Sequence, residues 1–180
     1  MNKRETALIM AVLKAAYPSY YRDQSEADAV AAARLWHEMF ADDDYTAVAA
    51  AVKMLIATRV EGYPPTIGAV KEKLYQVQNP DEMDVQDAWA LAAKAAAGNL
   101  KWDKLPPRVQ RAIGSPNVLN DWGMIDVDVF NSVIYSQFVK AYKAYQQREQ
   151  DMAALPSDVR TLITDMSERL SLAEGEHNGD

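Results

Sequence analysis

Few residues in this chain are of the types that do chemistry, and their spacing suits it poorly. Two histidines occur, His37 and His177, and there is no cysteine, so disulfides and thiolate metal sites are excluded. His37 follows Trp36 inside a helical pattern, where a hydrogen-bonded structural histidine is expected; His177 lies in the acidic end of the chain, expected to be disordered. No His-x-x-x-His or His-Glu-x-x-His ligand spacing is present. Asp42-Asp43-Asp44 could ligate a cation, but the triplet directly precedes an apolar stripe, and loop carboxylates that cap a helix start are the commoner arrangement. No Gly-x-x-x-x-Gly-Lys-Ser/Thr or Gly-x-Gly-x-x-Gly loop offers backbone amides to phosphate. Carboxylate pairs abound, so pairing alone nominates no general acid and base. The expectation is a protein that is not an enzyme, with no cofactor and no metal.

Two segments carry residues suited to nucleic acid. The Pro64-Pro65 turn followed by Thr66–Lys73 has the outline of a helix-turn-helix, with Lys71 and Lys73 expected on its outward face, although Glu72 lies between them. Lys101, Trp102, Lys104, Arg108 and Arg111 combine cations with an aromatic ring, a composition that can stack on and neutralise a single strand. Solvated cations around a core tryptophan would read the same way. The charge balance favours the second reading. Residues 1–80 hold nine basic and ten acidic groups, and residues 81–150 hold eight and nine. Residues 151–180 hold two basic and seven acidic groups, so most of the net charge of −7 sits there. Direct DNA binding is expected to be weak or absent, because phosphate neutralisation needs clustered cations.

The elements that position these groups read as helices throughout. Alanine fills 29 positions against seven glycines, and no stretch alternates apolar and polar residues as a strand would. Leu8, Ile9, Val12, Leu13, Ala16 and Tyr17 share one helical face; Val30, Ala33, Trp36 and Phe40 form the next stripe. Tyr45, Val48, Val52, Leu55 and Ile56 follow, then Ile67, Val70, Leu74 and Val77. Ser25 with Asp28, the aspartate triplet, and Thr66 supply helix starts. The fold class is therefore all-α: a small N-terminal helical bundle over residues 1–78, a second helical block over 81–150, and an acidic C-terminal segment, 151–180, that can be flexible. Gln78-Asn79-Pro80-Asp81 marks the first boundary.

In the second block, Asp84 caps a helix bearing Val85, Ala88, Trp89, Ala92 and Ala96, ended by Gly98-Asn99. Short helices follow at Pro107 and Pro116, and the longest pattern runs from about Asp126 to Gln150 through Val127, Phe130, Ile134, Phe138, Ala141 and Tyr145. Leu105-Pro106-Pro107-Arg108-Val109 is echoed by Leu155-Pro156-Ser157-Asp158-Val159, which is shared helix-start grammar rather than a repeat. The second copy leads into a short amphipathic helix with Leu162, Ile163, Met166 and Leu170. There is no run of about 18 apolar residues and no secretion signal, so no membrane partner is expected.

Glu5-Thr6-Ala7, Met10-Ala11-Val12-Leu13-Lys14-Ala15-Ala16-Tyr17-Pro18, Leu35-Trp36-His37-Glu38-Met39-Phe40, Tyr45-Thr46-Ala47-Val48-Ala49-Ala50-Ala51-Val52-Lys53 and Tyr63-Pro64-Pro65-Thr66-Ile67-Gly68-Ala69-Val70-Lys71 occur in that order. As an ordered set, over roughly residues 3–77, they resemble the phage replicative-helicase loader and inhibitor family. The resemblance implies a small helical N-terminal domain joined to a more flexible C-terminal region. It also implies a protein of the bacterial host cytoplasm that binds the hexameric replicative DNA helicase, holds it inactive, and delivers it to origin DNA with an origin-binding initiator. In that family the helicase contact is attributed to the flexible C-terminal part; the tryptophan-containing block 81–150 departs from the family's short pattern. Within this chain, Leu155, Val159, Leu162, Ile163 and Met166 are the candidates to enter a groove on the helicase, with the acidic surroundings steering toward a basic surface. A loader without a phosphate loop cannot open a ring with its own ATP, so its work must come from binding one helicase conformation better than another. Two other readings stay open: a DNA-binding replication accessory with a helix-turn-helix-like element, and a helical structural or assembly adaptor.

Overall fold

The computed structural model describes the backbone of residues 1–177 and the side chains of residues 1–169. The expectations placed on Leu170 and on His177 fall outside the described side chains. Among the described residues the fold is all-α, with no strand. The chain divides into two compact units, one of residues 1–80 with 152–180, the other of residues 81–151.

The first unit contains α1 (Lys3–Ala16), α2 (Pro18–Tyr21), α3 (Glu26–Met39), α4 (Tyr45–Thr58), α5 (Ile67–Gln78) and α11 (Ser157–His177). Its helices begin where side chains can satisfy the free amides of a first turn. Asn2 and Glu5 form a reciprocal capping box at α1. The Ser25 hydroxyl accepts from the Asp28 N–H at 3.1 Å and donates to the Asp28 carboxylate at 2.7 Å. Thr66 accepts from the Ala69 N–H at 3.2 Å. The core gathers Ile9, Leu13, Phe40, Val48, Val52, Val70 and Leu74, and Trp36 stacks on Phe40 with ring centroids 5.1 Å apart. Each such aliphatic side chain contributes about 1.5–3 kcal/mol by leaving water.

Two details differ from the sequence expectation. The buried face of α1 is Thr6, Ile9, Met10, Leu13 and Tyr17, whereas Leu8 and Val12 flank it and are exposed. Rotation of α1 is set at its start: the Met1 ammonium donates to the carbonyls of Phe40, Ala41 and Asp43 at 2.7–2.8 Å. Val30 is likewise exposed on α3. A one-turn helix, α2, stands where the sequence suggested only an exit turn, since Pro18 fits the first helical position.

The second unit contains α6 (Val85–Ala96), a 3₁₀ turn at Trp102–Lys104, α7 (Pro107–Ile113), α8 (Pro116–Trp122), α9 (Val127–Val129), a π-helical turn at Phe130–Ile134 and α10 (Tyr135–Ala154). Helix α6 ends as its glycine requires: Gly98 has φ +75°, and the N–H groups of Gly98 and Asn99 reach back to the carbonyls of Ala95 and Lys94. Phe130, Ile134, Phe138 and Tyr142 are spaced by four, which drifts about 40° per step in a helix of 3.6 residues per turn. The wider π turn absorbs part of that drift and keeps Phe130 in the aromatic cluster. There Trp89 meets Phe130 at 4.8 Å, Phe138 at 5.4 Å and Trp122 at 6.1 Å. Tyr142, absent from the expected stripe, is buried and donates to the Met83 carbonyl at 3.1 Å; Val127, included in it, is exposed.

Candidate functional site

Three consecutive carboxylates, expected to cap one helix, have three different partners. Asp44 is the cap: its carboxylate accepts from the Ala47 N–H at 3.0 Å and starts α4. Asp43 is paired with Lys71, whose ammonium lies 2.7 Å from the carboxylate and 4.8 Å from the Phe40 ring centroid. Asp42 reaches a residue 115 positions away and accepts from the Ser157 backbone N–H at 2.7 Å, at the first turn of α11. That hydrogen bond, with the Ser157 side chain and the nearby positive charge of Arg160 and Lys71, holds the Asp42 carboxyl below its ordinary pKa. No group of three or more His, Cys, Asp or Glu side chains fit to hold a metal ion occurs among the described residues.

Lys71 is therefore not on an outward face. It is 5% exposed, because its aliphatic stem continues the α5 stripe of Val70 and Leu74 while its ammonium turns to Asp43. Lys73 donates to Gln76 at 2.7 Å. The connection from α4 to α5 spans residues 59–66, longer than the three- or four-residue turn of a helix-turn-helix.

The second basic segment is also engaged. Arg108 pairs with Glu82 at 2.9 Å, donates through Nε to Glu149 at 2.8 Å, and lies over the Tyr142 ring. Burial works against its charge, but hydrogen bonds to Glu149, Glu82 and Tyr142 outweigh burial and raise its pKa. Arg111 shares Glu149 with it. Trp102 is half-buried against the second unit's core, and only Lys101 and Lys104 of this group, with Arg111, are exposed. The segment stiffens α7 against α10 rather than presenting a continuous cationic track.

The C-terminal constellation splits in two. Leu155 precedes α11 and is half-buried. Val159, Leu162, Ile163 and Met166 follow at the spacing of a single helical face, with Leu162 59%, Ile163 37% and Met166 54% exposed. The helix carrying them is 21 residues long, not short. Asp158, Asp165 and Glu168 lie on the same helix.

His37, expected to be hydrogen-bonded, has a buried Nδ1 without a hydrogen-bond partner. The long-range pairs that organise the site, Asp42 with Ser157 and Asp43 with Lys71, leave no local trace by which sequence reasoning could find them.

Residues 1–71 match the family model for the N-terminal domain of the phage gene-39 protein. The N-terminal block is a domain of that family. The family's protein is a phage helicase loader/inhibitor, so the resemblance expected over residues 3–77 is borne out over 1–71. The match implies a phage helicase-interacting protein, and the loader/inhibitor family is one of helicase-binding regulatory proteins rather than enzymes. Residues 72–180, with the whole second unit and all of α11, lie outside the match. No curated protein and no solved structure matches the chain. Among the described residues, no helix is long and apolar enough to cross a membrane.

Proposed function

We propose that this chain is a non-enzymatic accessory of phage DNA replication that binds the hexameric replicative helicase in the host cytoplasm, inhibits it, and helps load it at the origin with an origin-binding initiator. The observation that carries the reading is the loader/inhibitor N-terminal domain at residues 1–71. The chain's work divides among three segments, a scaffold at residues 1–78, a second block at 81–150 and a helicase-contacting segment at 151–180. In the last of these, Val159, Leu162, Ile163 and Met166 form the contact face, and Leu155 sits where the helix leaves the preceding one.

What supports this placement is physical. An apolar stripe left in water on a helix with carboxylates suits a groove with a basic rim. Asp42 fixes the first turn of α11, so the stripe is presented from an anchored end. Binding alone can then act on the helicase, provided its conformations differ in affinity for the stripe. The DNA-binding reading is left with Lys73, Lys101 and Lys104 once Lys71, Arg108 and Arg111 are accounted for.

Replacing Ile163 and Met166 together by serine should weaken binding of the cognate helicase by about a hundred-fold, the scale of two lost anchors. Circular dichroism should show the helix content of the parent protein. Deleting residues 151–180 should abolish binding. Undiminished helicase binding by both variants would reject this contact face.

A further inference from the structure

We propose that the second unit carries a docking groove of its own, for a partner helix with a large aliphatic or aromatic anchor flanked by Lys and Arg. The groove does not depend on the helicase reading, since it lies outside the family match and uses no residue of α11. It is an open cavity of about 200 Å³ between the end of α6 and the segment from α8 to the π turn. Ala93, Ala96 and Ala97 form one wall, small enough to leave the space unfilled, while Trp122, Ile125 and Phe130 supply the other. A volume of this size accommodates one or two large side chains.

The close approach of the walls is built in. A Cβ added at Gly123 would stand 2.8 Å from the Ala96 carbonyl oxygen, so only glycine lets the end of α8 lie on the end of α6. Phe130 enters the groove from the π-helical turn, a distortion that concentrates at functional sites. At the mouth, apolar side chains stand in water: Met124 is 80% exposed and Val127 69%.

Charge identifies the occupant. No Lys, Arg or His occurs from residue 112 to residue 139, whereas Asp121, Asp126 and Asp128 lie beside lining residues Trp122, Ile125 and Val127, and all three are exposed. Lys94, next to Ala93 on the opposite wall, is the nearby cation in sequence. An apolar cleft with this rim rejects acidic partners and favours an anchor carried between cations.

The test uses the full chain with methyl-labelled Ala, Ile, Leu and Val, titrated with an amphipathic helical peptide of Leu and Lys and with its Leu/Glu counterpart. The expected result is peptide-dependent shifts at Ala93, Ala96, Ile125 and Val127 with the Leu/Lys peptide and none with the Leu/Glu peptide. Val127→Lys should weaken the Leu/Lys peptide about ten-fold, the scale of losing one anchor contact. Asp121→Asn with Asp128→Asn should weaken it further at low salt than at high salt. Because Val127 and both aspartates are exposed, these variants keep the fold, which the unshifted core methyls of Val109 and Ile113 would verify. Equal response to both peptides, shifts confined to Leu162 and Ile163, or no response would overturn the proposal. So would shifts that grow with protein concentration alone, since the occupant would then be a second copy of the chain.

Discussion

The two units bury their cores by different means, and the difference decides which of them stays open. The first aligns four helices of 12–14 residues whose aliphatic stripes close completely: Leu13, Phe40, Val48, Val52 and Val70 are all at 0% exposure. Its one buried cation among the described side chains, Lys71, is matched by Asp43. The second builds on helices as short as three and seven residues and fills the space between them with rings. Rings pack edge to face and leave gaps that aliphatic chains would fill. Trp89 stays half-buried, and a groove remains beside Trp122 and Phe130. Long helices with continuous stripes make a closed support; short helices around aromatic rings make a surface with recesses. The loader/inhibitor match falls on the closed support.

Breaking each core should have a separate signature. Phe138→Ala in the second unit and Phe40→Ala in the first should each cost about 3–5 kcal/mol, the range for truncating a buried phenylalanine. Hydrogen exchange should place the first loss in α6, α7 and α10 and the second in α1, α3, α4 and α5. Identical exchange profiles for the two variants would dissolve the distinction between units.

The ionic contacts sharpen it. Lys71→Met should cost about 1.5–3 kcal/mol, because it strips a charge-assisted hydrogen bond from a carboxylate with little access to water. Urea titration would measure it. Arg108→Met should cost less, since its partner Glu149 is 32% exposed and water can replace the guanidinium. The reverse order would show that the closed unit does not owe its stability to the pair.

The smallest effect concerns the anchor of α11. Asp42→Ala should lower exchange protection at Ser157 without shifting the global unfolding transition. Acidification should do the same. Because the Asp42 pKa is depressed in the folded state, the anchor is fully present above the ordinary carboxylate range and is lost as pH falls through the depressed value. Ser157 amide protection that stays constant through that fall would contradict the assignment.

Where a rule acts within a few residues, the sequence is readable. Ser25, Thr66, Asp84 and Ser115 cap the helices that their positions suggest, and Gly98 ends α6. Faces are harder to read than helices. Leu8 and Val12 are as apolar as Ile9 and Leu13, and the Met1 ammonium on the α3–α4 loop selects among them. Periodicity misplaces Lys71 because it treats lysine as polar; the stem lies in the stripe, and the partner is 28 residues away. Asp42 and Ser157 are separated by 115 residues, so nothing local could pair them. Of the candidate contact face, the spacing of Val159, Leu162, Ile163 and Met166 is legible, whereas the half-burial of Leu155 depends on how the chain turns at Pro156.

The steady-state ATPase rate of the cognate replicative helicase, measured while the intact protein is titrated in, addresses the central claim most directly. The account predicts a saturable fall in that rate, with an effect that Ile163→Ser with Met166→Ser removes and with no nucleotide hydrolysis by the added protein alone. A rate that stays flat beyond stoichiometric excess over the helicase hexamer would contradict it.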